Sequence, residues 1–311
     1  MAAPTENPPS ASMNLGMLHP EALEALLAAC LCYERQLASK PVVIALHCSA
    51  STGRQWRPLG EALGESYLVT APDLFGCGTK GPWPGERPFQ LADEAAPMIE
   101  LIDAVKAPVH LVGHSYGATV ALEVALARPS RVASLALYEP VAFHLLRSMG
   151  SDEQAALQEF CTLIEDIDRA VVTGAYRSAA QRFVDYWGGA GTWDALKHDA
   201  RAEIVRYIPK ACLDGRAALE ARTPPVAYSQ LRMPVLLMQG EHTTRAAALI
   251  IGRLAQLIES ASWKVLARAD HMGPITHAGE VNAWVRDHIA KAGGPSEHET
   301  LAAAALARVA A

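Results

Sequence analysis

The chain has 311 residues and a formal net charge of -6, with 50% hydrophobic and 19% charged residues. This length suffices for one large α/β domain with an inserted segment, and the composition is that of an ordinary globular enzyme. The negative charge argues against a nucleic-acid partner, because no basic stripe is available to neutralise phosphates.

The first forty residues divide into two parts. Residues 1–13 are rich in Pro, Ser and Asn, which predicts disorder. Residues 14–40 are assigned to an N-terminal helix, with an amphipathic pattern over Pro20–Ala38. The apolar run of this helix is too short to span a bilayer. The cysteines of the chain form no CxxC pair or disulfide pattern. We therefore predict a cytoplasmic protein with free thiols. A homodimer in which this helix docks on a second subunit is one alternative.

From Pro41 onward, short apolar runs alternate with longer segments of helical periodicity. The predicted strands are Val42–Leu46, Tyr67–Ala71, Val109–Val112, Val132–Tyr138, Val235–Met238 and Trp263–Leu266. The predicted helices between them include Leu91–Val105, Ala118–Ala127, Thr244–Ile258 and Thr276–Lys291. Continuous apolar runs favour strands buried on both faces, and the alternation predicts a doubly wound, mostly parallel α/β sheet. This core comprises residues 41–140 and 231–291, and residues 292–311 form an Ala-rich tail.

Residues 141–230 interrupt this alternation. They contain no convincing buried strand, and helical patterns over Glu153–Ala170, Arg177–Tyr186 and Ala200–Tyr207 predict a helical lid inserted between two strands. The segment is rich in aromatic side chains, namely Phe143, Phe160, Tyr176, Phe183, Tyr186, Trp187, Trp193 and Tyr207. Either these residues line a pocket for a small apolar substrate or they build the core of the lid itself.

A Gly-x-Ser-x-Gly motif joins a predicted strand to a predicted helix. It reads Gly113-His114-Ser115-Tyr116-Gly117. Glycine two residues before and after Ser115 removes the Cβ atoms that would block so tight a turn. This strand–turn–helix setting is that of a nucleophile elbow, in which the Tyr116 amide can donate to a developing oxyanion.

A second loop of small residues follows the first predicted strand. It begins His47-Cys48-Ser49 and is well suited to supply a second backbone amide, from Ser49, facing Ser115. His47 at the strand end is predicted to brace this loop. The alternative is a plain connection between a strand and a helix.

These motifs resemble those of the α/β-hydrolase superfamily, from Pro41 to about Ile289. The matching pieces are His47-Cys48-Ser49, Asp73-Leu74-Phe75-Gly76-Cys77-Gly78, Gly113–Gly117 and Ala269-Asp270-His271-Met272-Gly273. The resemblance implies a structural role for Asp73 and an oxyanion role for Ser49, although Cys48 replaces the usual glycine. It also places the catalytic base at His271, and an imidazole suits this task because it titrates near neutral pH.

The acid of the triad is the open question. The family usually carries Asp where this chain reads Gly240-Glu241-His242-Thr243, so Thr243 occupies the expected position. Three alternatives remain: Glu139 at the end of the preceding strand, Glu241, or a Ser–His dyad. We favour Glu139, because that strand end faces the histidine loop in this architecture. Asp270 is excluded because adjacent side chains diverge.

The residue types narrow the reaction. Serine at the elbow disfavours dehalogenation and epoxide opening, which in this superfamily use Asp there. The sequence predicts a serine hydrolase that cleaves a carboxylic ester, thioester or lactone through an acyl-enzyme, with neither a cofactor nor a metal site, since no His-Glu-x-x-His motif occurs. The alternatives are a ligand-binding protein without turnover, and a C–C hydrolase or perhydrolase on the same fold.

Overall fold

A computed structural model describes residues 40–147 and 150–293. The chain divides into two units, Met1–Lys40 and Pro41–Ala311, and everything described below belongs to the second. The predicted disordered segment, the helix Pro20–Ala38 and residues 294–311 of the Ala-rich tail lie outside the described residues.

The described residues contain one six-stranded sheet. Its strands are β1 (Val42–Leu46), β2 (Leu68–Thr70), β3 (Val109–His114), β4 (Val132–Tyr138), β5 (Val235–Gly240) and β6 (Ala261–Leu266). They lie in the order β2-β1-β3-β4-β5-β6, and every neighbouring pair is parallel. The predicted parallel α/β sheet is therefore confirmed, and the carboxyl ends of its strands meet at one edge.

The sheet is covered by helices on both faces. These helices are α1 (Arg57–Leu63), α2 (Leu91–Ala104), α3 (Tyr116–Ala127), α4 (Ser151–Val172), α5 (Tyr176–Gly188), α6 (Thr192–Ala195), α7 (His198–Glu220), α8 (Arg245–Leu257), α9 (Gly273–Thr276) and α10 (Ala278–Ala292). Alternate residues of β1 serve opposite faces, because side chains in a strand point to opposite sides. Val43 and Ala45 pack with α1 and α10, whereas Ile44 and Leu46 pack with α2, α3 and α8.

Burial on both faces holds for the central strands and fails at the edges. β3 is buried along its whole length, but β6 exposes four of its six residues, including Trp263 at 48% and Val265 at 52%. β2 at the other edge exposes Leu68 at 41%. The expectation of complete burial is thus wrong for these two strands, since an edge strand has a neighbour on one side only.

Four helices, α4 to α7, lie between β4 and β5. The longest, α7, was predicted to end at Tyr207 and instead continues to Glu220. Phe160 of α4 stacks on Phe143 with ring centroids 3.7 Å apart, so part of the aromatic set packs within the protein core. The structure shows these helices, and the division of residues 141–230 as a separate lid stays a prediction.

Several buried histidines are held neutral by the fold. Burial lowers the pKa of His47, His110 and His144 to about 4, and lowers that of His114 well below its ordinary value. Below pH 6.5 the unfolded chain therefore binds more protons than the folded chain, so the free energy of unfolding falls as the pH falls toward 4. We expect a loss of about 2 kcal/mol between pH 7 and pH 5 for each such histidine.

Urea denaturation of the wild type and of His110→Gln at the two pH values tests this expectation. His110 lies away from the site described below, and its Nδ1 bonds the Ser134 hydroxyl at 2.8 Å. The variant should lose about 2 kcal/mol less than the wild type on acidification. Equal losses would show that His110 is not held neutral.

Candidate active site

The turn between β3 and α3 holds Ser115 in a strained conformation. Its backbone has φ 56° and ψ -120°, a region that L-residues rarely adopt. A Cβ on Gly117 would lie 2.4 Å from the Leu46 carbonyl oxygen, and one on Gly113 would lie 2.4 Å from the Ala118 Cα. Both glycines are therefore required for the backbone to pass this close, which lifts Ser115 out of the strand.

Ser115, His271 and Glu139 form a continuous chain of hydrogen bonds. His271 Nε2 lies 2.8 Å from Ser115 Oγ, and His271 Nδ1 lies 2.6 Å from Glu139 Oε2. All three residues are buried. Because a carboxylate only accepts, Nδ1 carries the proton and leaves Nε2 free to accept the proton of Ser115. This arrangement can activate the hydroxyl as a nucleophile.

Of the acid alternatives, the structure brings Glu139 to His271. Glu139 lies directly after β4 with φ 44°, and its other oxygen, Oε1, accepts the Gly240 amide at 2.7 Å. Glu241 is exposed and instead accepts the Arg268 amide at 2.8 Å. The ends of β4 and β5 are neighbours, so a carboxylate can reach the histidine from either. The catalytic role of Glu139 stays a prediction.

The predicted oxyanion residues lie around Ser115. Ser49 and Tyr116 line a small cavity together with Ser115. Tyr116 is the first residue of α3, so its amide has no acceptor within the helix. No hydrogen bond joins the Ser49 amide to another described residue. Two backbone donors thus lie near the nucleophile, and their role as an oxyanion hole stays a prediction.

His47 connects the loop of Ser49 to the neighbouring loop. Its Nε2 accepts the Leu74 amide at 3.0 Å, so the proton resides on Nδ1, which donates to the Cys48 carbonyl at 2.7 Å. Asp73 accepts the amides of Gly53 and Thr79, both at 2.8 Å. Both side chains join loops through these hydrogen bonds, and their supporting roles stay predictions.

A hydrogen-bonded chain that sequence reasoning missed links these loops to the histidine loop. Gln55 Oε1 accepts the Cys48 amide at 3.1 Å, and Gln55 Nε2 donates to His114 Nδ1 at 2.9 Å. His114 Nε2 then donates to the His271 carbonyl at 2.8 Å. The motif contained His114 but gave no sign of this role, and nothing in the sequence singles out Gln55.

A cavity of about 480 Å³ opens onto Ser115 and His271. Its apolar wall consists of Phe183, Val184, Trp187, Leu196, Ile204, Met272 and Ile275. Phe183, Val184 and Trp187 belong to α5, Ile204 belongs to α7, and Leu196 lies just before α7. The inserted helices therefore form one wall of the cavity. Of the aromatic residues, Phe183 and Trp187 line this cavity, whereas Phe143 and Phe160 stack in the core. Arg54 and Glu203 form an ion pair of 2.5 Å at the cavity lining.

Residues 40–147 and 150–293 contain no group of three or more side chains that could hold a metal ion. They also contain no helix that is long and apolar enough to cross a membrane. Burial raises the pKa of Cys48 and Cys77 to about 12, which keeps both thiols protonated. Ser115, by contrast, has its hydroxyl 2.8 Å from His271 Nε2, a base that can take its proton.

A comparison of the chain with known protein families identifies the family to which it belongs. The model of the family described as "Alpha/beta hydrolase family" matches residues 43–284. The chain belongs to the α/β-hydrolase family. The match covers nearly all of the sheet, the elbow and the histidine loop.

Individual relatives show how far the similarity extends. The chain is 37% identical to lipase LipV of Mycobacterium tuberculosis over 99 residues, which cover 32% of this chain and 36% of that lipase. It is 33% identical to the dihydrolipoyllysine-residue acetyltransferase component of the acetoin cleaving system of Cupriavidus necator over 261 residues. That match covers 83% of this chain and 66% of that protein. The matched region thus spans about a third of the lipase.

The crystal structure of the enol-lactonase from Burkholderia xenovorans LB400 has a similar fold. Its TM-score to this α/β hydrolase is 0.64 at 19% identity, and the match covers 81% of this chain and 92% of that chain. At this identity the likeness shows the fold alone.

Proposed function

We propose that this α/β hydrolase is a serine hydrolase that cleaves an ester-type bond of a small apolar substrate through an acyl-enzyme. The observation that carries the proposal is the buried chain from Glu139 through His271 to Ser115, with distances of 2.6 and 2.8 Å. It ends at a cavity large enough for a small organic molecule.

In the first half of the reaction, Ser115 Oγ attacks the substrate carbonyl carbon and passes its proton to His271 Nε2. Glu139 compensates the positive charge on the imidazole. The amides of Ser49 and Tyr116 donate to the carbonyl oxygen as it becomes an oxyanion. His271 then gives the proton to the leaving oxygen, the carbonyl carbon–oxygen bond breaks, and the alcohol departs.

In the second half, the acyl group on Ser115 is hydrolysed. His271 accepts a proton from a water molecule, whose oxygen attacks the acyl carbon. The proton returns to Ser115 Oγ as its bond to the acyl carbon breaks, and a carboxylic acid is released. No co-reactant other than water is needed.

The walls of the cavity support an apolar substrate. Seven apolar side chains face the space next to Ser115, and apolar surface of this kind binds ligands by excluding water. One relative of part of the chain is named a lipase. We therefore propose carboxylic esters, thioesters or lactones as the substrate class. We further propose that the enzyme is cytoplasmic.

Glu139 also bears on the alternative of a binding protein without turnover. That alternative depended on Thr243 standing where a carboxylate was expected. Because Glu139 supplies a carboxylate at 2.6 Å from His271, the departure at position 243 no longer argues against catalysis.

Labelling with a fluorophosphonate tests the proposal without knowledge of the substrate. We expect intact-mass detection of one adduct on the wild type and none on Ser115→Ala, because only an activated serine reacts. Ser51→Ala is the matched control, since Ser51 lines the same cavity and should leave the adduct in place. An unlabelled wild type, or an adduct that persists in Ser115→Ala, would contradict the proposal.

A further inference from the structure

An inserted tryptophan lies directly against the histidine of the candidate site. Trp187, at the end of α5, stacks on His271 with ring centroids 3.9 Å apart and an interplanar angle of 20°. It is 5% exposed, although it also lines the cavity. No motif in the sequence marks this residue.

The position of Trp187 is set by ring contacts. Its indole Nε1 is buried and has no hydrogen-bond partner among the described residues. Tyr186, Phe160 and Phe183 surround the indole, with ring centroids at 4.8, 5.9 and 6.5 Å. A buried donor without a partner is unfavourable and uncommon in folded proteins. The aromatic neighbours therefore hold the indole against His271 at the cost of an unpaired N–H.

The groups that face His271 come from several elements. Glu139 contacts Nδ1 and Ser115 contacts Nε2, both at hydrogen-bond distance. His114, at the end of β3, lies with its ring centroid 5.1 Å from that of His271. Burial and the nearby His271 keep the pKa of His114 well below its ordinary value, so His114 adds no charge. Trp187 covers a face of the imidazole that these polar contacts leave unoccupied.

We propose that Trp187 is a positioning residue for the hydrolysis: its indole face fixes the orientation of the His271 imidazole and stabilises the imidazolium formed when Ser115 attacks. The inference rests on the proposed function. The face of an indole carries partial negative charge, so it attracts a cation stacked on it, and the attraction is stronger where water is excluded. Stacking also restricts rotation of the imidazole, whose two nitrogens must keep contact with Glu139 and Ser115 together.

This contact couples the inserted helices to the chemistry. His271 belongs to the sheet-and-helix core, whereas Trp187 belongs to α5, so the support exists only while α5 covers the site. A change that displaces α5 should therefore reduce the reactivity of Ser115 as well as the affinity for substrate.

Three variants test the proposal. Trp187→Leu removes the aromatic face, Trp187→Phe keeps a weaker one, and Trp193→Leu is the control. Trp193 is a buried tryptophan of the same insertion, and its recorded ring contacts are with Arg177 and Arg201. Circular dichroism establishes that each variant folds, and Trp187→Phe keeps the test decisive if Trp187→Leu does not fold.

We expect Trp187→Leu to lower kcat and the rate of fluorophosphonate labelling by about tenfold, and Trp187→Phe by less. The acid limb of the pH–rate profile should also move to lower pH in Trp187→Leu, because the imidazolium loses a stabilising contact. Trp193→Leu should leave the profile in place. If a folded Trp187→Leu changes only KM, Trp187 is merely a wall of the cavity and the inference is wrong.

Intrinsic fluorescence provides a readout that needs no substrate. A protonated imidazole quenches an indole stacked on it, so the wild-type spectrum minus that of Trp187→Phe should titrate along the acid limb of the pH–rate profile. A pH-independent difference would overturn the inference. An unlabelled wild type would instead refute the proposed function, so the two failures are distinguishable.

Discussion

Glu139→Gln is expected to lower kcat by about 10³- to 10⁴-fold with little change in KM. The amide fills the same space but carries no charge to compensate the imidazolium of His271. Its NH₂ group can also donate to Nδ1, which places the imidazole proton on Nε2, where it blocks acceptance of the Ser115 proton. Because Glu139 lies behind His271 and away from the cavity, the substrate should bind nearly as before.

Steady-state kinetics on an ester accepted by the wild type measure this effect. Glu241→Gln is the matched control, since the Glu241 side chain is exposed and accepts the Arg268 amide rather than contacting His271. Its activity should stay within about threefold of wild type. Activity of Glu139→Gln within that range would remove Glu139 from the triad. A large loss in Glu241→Gln would assign the acid there, and full activity in both variants would favour a Ser–His dyad.

The sheet could be predicted because its signal is local. β1, β3, β4 and β5 are mostly apolar runs. In a chain of alternating strands and helices, such runs indicate strands that are buried on both faces of a parallel sheet. The burial of the edge strands was predicted less well, because Trp263 and Val265 are large apolar residues of the kind that are usually buried. Position at the edge of a sheet is decided by the order of the strands, which periodicity does not encode.

Helix α7 shows where the pattern of polar residues misleads. The helical pattern was assigned only as far as Tyr207, and the helix continues through Lys210 and Asp214 to Glu220. The structure buries both residues, at 8% and 2% exposure, and pairs them with each other. Sequence periodicity assumes that charged residues face water, and this assumption fails wherever charges pair inside the protein.

The residues of the candidate site also differ in how well the sequence identifies them. Ser115 and His271 were identified because the turn and the loop around them have sequence signatures. Glu139 was favoured over Glu241 and over a Ser–His dyad because its strand end faces the histidine loop in this architecture, but no motif marks it. Gln55 was not found, and Trp187 was noted only as one aromatic residue of the insertion, because each contacts a residue far along the chain and belongs to no motif.

Lys210→Met is expected to lower the free energy of unfolding by about 3–5 kcal/mol. Lys210 Nζ lies 3.0 Å from Glu94 Oε2 and forms a second ion pair with Asp214, and all three side chains are nearly inaccessible to water. Removal of the cation leaves two buried carboxylates without compensation. Asp214 also accepts a hydrogen bond of 2.8 Å from Ser49 Oγ, so its displacement should disturb the loop that carries the Ser49 amide.

The pH dependence of the loss identifies its cause. Burial raises the pKa of Asp214 to about 6, whereas Lys210 opposes this rise. In Lys210→Met the opposition is gone, so the folded variant binds protons that the unfolded chain does not, and its stability rises relative to wild type as the pH falls. In the variant the pKa of Asp214 lies above the wild-type value of about 6, so the deficit should be largest well above pH 6 and narrow as the pH falls toward 6, below which Asp214 is protonated in both folded proteins.

Urea denaturation at several pH values, with Lys106→Met as the exposed control, measures the deficit. The triple variant Glu94→Gln, Lys210→Met, Asp214→Asn should recover much of the stability, because uncharged groups need no counter-ion. Comparison of kcat in the triple variant and the wild type then separates two purposes of the cluster. Restored stability with low kcat would mean that the charges hold the Ser49 loop for catalysis, whereas restoration of both would mean that they only join α7 to the core. A Lys210→Met variant as stable as Lys106→Met would refute the burial of these charges.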